Sequence, residues 1–290
     1  MIRRESPCKV NLLLNILGKR PDGFHELETV MHPVRLSDEL TFERCGSGIH
    51  LTCSDPALPT DSANLVYRAA QSFLEASKAG DGVRIVLEKR LPLAAGLGGG
   101  SANAAITLTA LNDLFGTPLA EDRIQALAAS LGSDVPFFLQ DRPALATGRG
   151  ERIEPLDPFP ALRNTAFFLV HPGFGISTAW AYQSLKDFPS ALNGTPGRAR
   201  QLIAALQDAT LDRTASLFYN SLEAPALRKY PILEIYQEFL RENGALATLM
   251  SGSGSTTFAI FDSVDRARGV VEPFKARFGE SCWIAVVPVS

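Results

Sequence analysis

From Cys8 to Leu17 apolar and polar positions alternate, with Val10, Leu12, Leu14 and Ile16 on one side and Lys9, Asn11, Leu13 and Asn15 on the other. That period of two predicts a strand whose second face is unusually polar for a core. Arg20-Pro21-Asp22-Gly23 reads as a turn, and 24–34 as a second extended segment. Further on, Val83, Ile85 and Leu87 alternate with Arg84 and Glu88, again strand-like, while Ala104, Leu108, Leu111 and Phe115 fall at helical spacing. Helices are also predicted over 61–76, capped by Asp61 or Ser62, and over 121–131, closed by Gly132 as a C′ residue. The second half predicts strands over 166–171, 257–261 and 283–287, an extended segment over 246–250, and helices over 231–243 and 264–278. A loop rich in Pro and Gly lies between Asp187 and Arg198, and another, Ser251-Gly252-Ser253-Gly254-Ser255, precedes the strand at 257. The class is α+β. Proline crowds into 154–160, which places a domain boundary there, with domains 1–158 and 159–290.

At 290 residues and 46% hydrophobic composition the chain can bury a large core and divide in two. A net charge of -3 and a pI near 5.9 argue against a general binder of nucleic acid or anionic membrane. Lys9, Asn11 and Asn15 interrupt the apolar run near the N-terminus, so it does not read as a signal peptide, and no stretch predicts a membrane span. Cysteines at 8, 45, 53 and 282 form no C-x-x-C pair and have no histidines at ligand spacing. They read as free thiols in a reducing cytoplasm.

Leu91 to Ala105, LPLAAGLGGGSANAA, stands between the strand ending at 88 and the helix after it. Glycines 96, 98, 99 and 100 let several backbone N–H groups converge on one anion, and the helix adds its positive end. No Lys follows as a Walker loop requires, and Ser101 stands where G-x-G-x-x-G needs its third glycine. A merely flexible turn is the alternative. Ordering four glycines at the first turn of a patterned helix favours phosphate binding.

Three segments now stand in order: Ser6-Pro7-Cys8-Lys9-Val10-Asn11, the glycine loop, and Met250 to Ser255. They resemble the three motifs of the GHMP small-molecule kinases. LNILGKRPDGFHEL, the glycine loop and LGSDVPFF are similar to the branch of that family acting on a cytidine diphosphate ester of methylerythritol. The resemblance runs from about Pro7 to Phe261. It implies an N-terminal domain like the second domain of ribosomal protein S5, a ferredoxin-like C-terminal domain and a cleft between them. It also implies transfer of the γ-phosphoryl of ATP to a 2-hydroxyl in non-mevalonate isoprenoid synthesis, in the cytoplasm, by a monomer or weak homodimer.

By motif position Asp134 is then the base and Lys9 its partner, an ammonium that favours the charged carboxylate and steadies phosphoryl oxygens. Taken alone, Asp134 reads more readily as a helix cap and Lys9 as a solvated edge charge. ATP is expected over Pro92, Leu93, Ala94, Ala95, Gly96, Leu97, Gly98, Gly99, Gly100, Ser101, Ala102 and Asn103, with Asn64 toward the adenine. Mg²⁺ should accompany ATP, although no carboxylate pair announces a protein-held metal. Asn11, which shares a strand face with Lys9, reads as part of a polar cleft wall at the substrate, and the resemblance assigns His25 to the cytosine edge and Phe24 and Tyr182 to its two faces. The serine loop 251–255 would close on phosphate, or be a plain hairpin turn.

Two positions depart from the family pattern. Phe24 replaces a Tyr and Cys8 an Ala. A thiol beside Lys9 is expected to have a lowered pKa and to make the enzyme sensitive to alkylation. The rivals are a GHMP kinase for another alcohol, such as homoserine or mevalonate, and a nucleotide- or RNA-binding regulator that kept the fold and lost catalysis.

Overall fold

The computed structural model describes residues 1–192, 194–208, 211 and 214–289. Its first sheet is built on a long hairpin, β1 (Ile2–Lys19) and β2 (His25–Cys45), with register from Lys19 opposite His25 to Ile2 opposite Phe42. Both strands run further than the alternation predicted. The turn between them is the expected one, closed by the Gly23 N–H to the Arg20 carbonyl at 3.1 Å. The far half of β2 pairs with β4 (Gly82–Glu88), which holds β3 (Ile49–Cys53) at the edge. The near half pairs instead with β5 (Ala144–Gly148), itself joined to β6 (Arg152–Pro155).

Helices α1 (Leu65–Ser77), α2 (Gly99–Leu114) and α3 (Glu121–Leu131) cover one face of this sheet. Ala104, Leu108 and Leu111 of α2 are buried there, as their spacing requires. Helix α1 starts later than predicted: Asn64, not Asp61 or Ser62, is its cap, accepting from the Val66 N–H at 2.9 Å. Asp61 caps only the turn before it, through the Ala63 N–H. After α3, Gly132 is extended (φ 171°) rather than left-handed, so the chain leaves without the expected C′ turn.

The second sheet is antiparallel, in the order β11 (Trp283–Pro288), β7 (Ala166–His171), β10 (Thr257–Phe261), β9 (Ala247–Met250). On one face Phe168, Val170 and Phe261 meet α7 (Ile232–Glu242), α8 (Val264–Gly269) and α9 (Val271–Phe278). One helix was predicted over 264–278. Pro273 breaks it, because its ring crowds the Gly269 carbonyl and it has no N–H to offer that group.

The other face of this sheet, Phe167, Leu169, Phe258 and Ile260, shares a core with Val10, Leu12 and Val34 of the first hairpin. Helix α4 (Thr178–Ser184) and the short α6 (Glu223–Lys229) lie in the same half of the chain. Two elements from that half attach to the first sheet: β8 (Tyr219–Asn220), parallel to β1, and α5 (Arg198–Gln207). The N-cap of α5 is Gly197, which has no side chain to cap with, and Glu28 of β2 fills that role. It accepts from Gly197 N at 3.0 Å and Ala199 N at 3.2 Å. The expected loop at 187–198 is present apart from residue 193, which lies outside the described residues.

Candidate active site

Lys9 and Asn11 resolve the puzzle of a polar strand face. Both are buried, and they point into a cleft of about 1450 Å³ that the glycine loop walls on one side. Lys9 Nζ donates to Asn11 Oδ1 at 2.6 Å and to the Gly96 carbonyl at 2.8 Å. Its remaining N–H faces Asp134, whose Oδ2 is 3.7 Å away. Asn11 is in turn oriented by donating to Thr29 Oγ1 at 2.9 Å, and Thr29 donates to the Leu13 carbonyl. Burial pulls the Lys9 ammonium below the usual lysine range while the Asp134 carboxylate pushes back. Two acceptors and a carboxylate 3.7 Å away favour the charged form.

Asp134 precedes a short 3₁₀ turn at Pro136–Leu139, but that turn has no side-chain cap, and the Asp134 carboxyl is 41% exposed to the cleft. Capping is therefore not what occupies it. Tyr182 on α4 lies near enough to feel its charge, and burial together with that charge raises the phenol well above its usual range.

The glycine loop depends on glycine at two places. Gly96 (φ 76°) passes so close to the 251–256 segment that a Cβ would stand 2.0 Å from the Ser251 carbonyl. Gly98 (φ 72°) is the N-cap of α2, and a Cβ there would press on Phe138 and on Lys9 Cε. Without that methyl the Lys9 side chain reaches the loop, and the first N–H groups of α2, which have no acceptor within the helix, open toward the cleft. Pro92 through Ser101 and Asn103 line the cleft, but Ala102 is fully buried and turned into the core. Asn103 is also nearly buried, with its amide committed to Ser6 and Asp38. Asn64 lines the same end.

The serine loop behaves differently from the expectation. Ser251 and Ser255 are wholly buried. Ser251 Oγ donates to the Gly96 carbonyl at 3.0 Å and Ser255 Oγ to the Phe174 carbonyl, so both bond to backbone rather than waiting for phosphate. The Thr256 N–H adds a bond to the Ala95 carbonyl at 3.1 Å. Ser253 alone of the three lines the cleft, paired with Thr178 at 2.9 Å.

At the opposite end His25 and Tyr182 are in ring contact, with centroids 5.1 Å apart. Burial first, then the Lys19 charge, lowers the His25 pKa, so the imidazole is neutral at neutral pH. Phe24 is half exposed at the mouth, and the Arg149 guanidinium sits 4.8 Å from its ring centroid. Arg149 was missed from sequence. Its signal is a cation between two turn glycines, Gly148 and Gly150, both at positive φ.

Cys8 corrects a second expectation. Its side chain is completely buried on the strand face opposite Lys9, with Sγ directed at the Val34 carbonyl. Burial outweighs the nearby ammonium and pushes the thiol up to about 12, so it is neither activated nor accessible. Among the described residues no cluster of three or more His, Cys, Asp or Glu could hold a metal, and no helix is long and apolar enough to cross a membrane.

Residues 64–142 match the GHMP kinases N terminal domain and residues 192–280 the GHMP kinases C terminal domain. A 4-diphosphocytidyl-2-C-methyl-D-erythritol kinase from a Synechococcus species is 43% identical over 266 residues, covering 90% of this chain and 85% of that one. The crystal structure of a 4-(cytidine 5'-diphospho)-2C-methyl-D-erythritol kinase superposes with a TM-score of 0.82 at 37% identity, covering 100% of both chains. A homoserine kinase from Cytophaga hutchinsonii, at 20% identity and a TM-score of 0.76 over 99% of this chain and 94% of that one, shares the fold. By the identity and coverage of these matches, and with the glycine loop walling its cleft, the chain belongs to the GHMP kinases and, within them, to the 4-diphosphocytidyl-2-C-methyl-D-erythritol kinases.

Proposed function

We propose that this enzyme moves the γ-phosphoryl of ATP to the 2-hydroxyl of 4-diphosphocytidyl-2-C-methyl-D-erythritol, with Asp134 as base and Lys9 as its partner. The supporting observation is the placement of the Lys9–Asp134 pair, 3.7 Å apart, on a cleft walled by the glycine loop and by the His25–Tyr182 contact. Asp134 takes the proton of the tertiary hydroxyl as its oxygen bonds to the γ-phosphorus. The bond from that phosphorus to the β,γ-bridging oxygen breaks, and ADP departs. Two Lys9 N–H bonds are held by Asn11 and Gly96, so its charge is fixed in place rather than searching.

The loop residues 92–101 and the N-terminus of α2 suit a triphosphate, whose Mg²⁺ is brought with the nucleotide. Neutral His25 suits the hydrogen-bonding edge of cytosine, with Phe24 and Tyr182 as apolar faces and Asn11 beside the acceptor alcohol. The enzyme divides into domains 1–158 and 159–290 and works as a monomer or weak homodimer in the cytoplasm. Its test is ADP release by the purified enzyme with Mg-ATP and, in parallel, the cytidine ester, homoserine and mevalonate. Turnover confined to the cytidine ester is expected. Turnover with another alcohol instead would discard the cytosine site, and tight ATP binding without turnover on any would favour a regulatory protein.

A further inference from the structure

We infer that Asp38 is a positioning residue for the nucleotide, a clasp that holds the two ends of the glycine loop together. The inference rests on the reading of that loop as the ATP site. Asp38 lies on β2, is fully buried, and gathers four donors. Its Oδ1 accepts from the Arg90 N–H at 2.8 Å and the Leu91 N–H at 2.9 Å, the two residues that lead into the loop. Its Oδ2 accepts from Lys89 Nζ and, at 3.2 Å, from the Asn103 amide on the first turns of α2, beyond the loop. Oδ1 thus holds the entrance, and Oδ2 ties the Lys89 side chain on the entrance side to Asn103 on the exit side.

The ion pair also lies directly under the start of the helix. A Cβ on Gly99 would stand 3.5 Å from Lys89 Nζ and 3.7 Å from Asp38 Oδ2. A glycine-rich loop has many accessible backbone states, and fixing it on a ligand costs binding free energy. A carboxylate that holds both ends in the unliganded protein lowers that cost in advance. Charge is what makes the arrangement work. A carboxylate accepts at both oxygens, whereas an amide must turn an N–H₂ group toward either the 90–91 N–H groups or the Lys89 and Asn103 donors. Asp38 does not itself line the cleft. It acts through the backbone of the loop.

The variants are Asp38→Asn, Lys89→Met and the two together. Lys89→Met removes the ammonium that Asp38→Asn would otherwise leave buried without a counter-charge, a strongly destabilising state. ATP affinity is measured by calorimetry with MgCl₂ and no phosphoryl acceptor, beside Tm and kcat at saturating ATP. The double variant is expected to fold and to bind ATP about tenfold more weakly than Lys89→Met, with kcat at saturation within about twofold. Equal affinity in those two variants would reduce Asp38 to a brace of the fold and overturn the inference, as would a double variant that cannot fold. Failure of the unaltered protein to bind ATP would instead sink the reading of the nucleotide site.

Discussion

Asp134→Asn isolates proton removal from the rest of the site. The substituted side chain is nearly the same size but cannot take the hydroxyl proton, and loss of a general base lowers turnover by about 10² to 10⁴. That range corresponds to about 2.7 to 5.5 kcal/mol of transition-state stabilisation. Stability should change little. The carboxyl is 41% exposed, so solvent screens its attraction to Lys9, and such pairs contribute about 1 kcal/mol or less. Lys9 retains Asn11 and the Gly96 carbonyl as acceptors. The Asp134 charge opposes the burial that lowers the Lys9 pKa, so in the variant that pKa falls further. The assay is steady-state ADP release with both substrates saturating, accompanied by ATP affinity and thermal melting. A fall in kcat of two to four decades, with the ATP affinity held within about twofold, is the expected result. A kcat within about tenfold of the unaltered enzyme would remove Asp134 from the role of base.

Other outcomes follow from the same geometry. Iodoacetamide applied to the native protein should leave Cys8 unmodified while modifying it after denaturation, read by peptide mass spectrometry, because the thiol is buried and raised to about 12. Gly96→Ala should destabilise the protein by about 2 kcal/mol or more and weaken ATP binding, since its methyl meets the Ser251 carbonyl at positive φ. Melting and calorimetry test it, and an unchanged Tm would mean that the two loops do not need their close approach. Glu223 accepts from Met250 N at 2.8 Å and from Gln237 Nε2 at 2.6 Å, and burial pushes it up to about 7 from 4.5. A carboxyl raised on folding binds its proton more tightly in the native state. Its stabilisation is therefore complete below about pH 4.5 and is lost as pH rises through 7, by up to about 3 kcal/mol. Glu223→Gln should flatten that part of the stability profile between pH 5 and 8 in urea titrations, and an unaltered slope would contradict the shift.

Local order along the chain settles much of this protein without its tertiary structure. The alternation at 83–87, the helical spacing from Ala104 to Leu111 and the Arg20–Gly23 turn are read correctly because each depends on neighbours within one or two turns of chain. The resemblance to the GHMP kinases singles out Lys9 and Asp134, which only the fold brings to 3.7 Å across 125 residues of sequence. What sequence could not supply was the direction in which side chains face and what covers them. Cys8 and Lys9 are adjacent, yet one enters the core and the other the cleft, so the ammonium fails to activate its neighbour. Ser251 and Ser255 look like free phosphate ligands until the second half of the chain docks and their hydroxyls are taken by backbone carbonyls. The cap of α1 moved three residues because three turn-forming side chains compete there, and only Asn64 meets the Val66 N–H. Glu28 capping α5 and Asp38 holding the glycine loop are pairings across 169 and 51 to 65 residues. No periodicity records them, because burial of a carboxylate is decided by which distant donors the closed fold delivers to it.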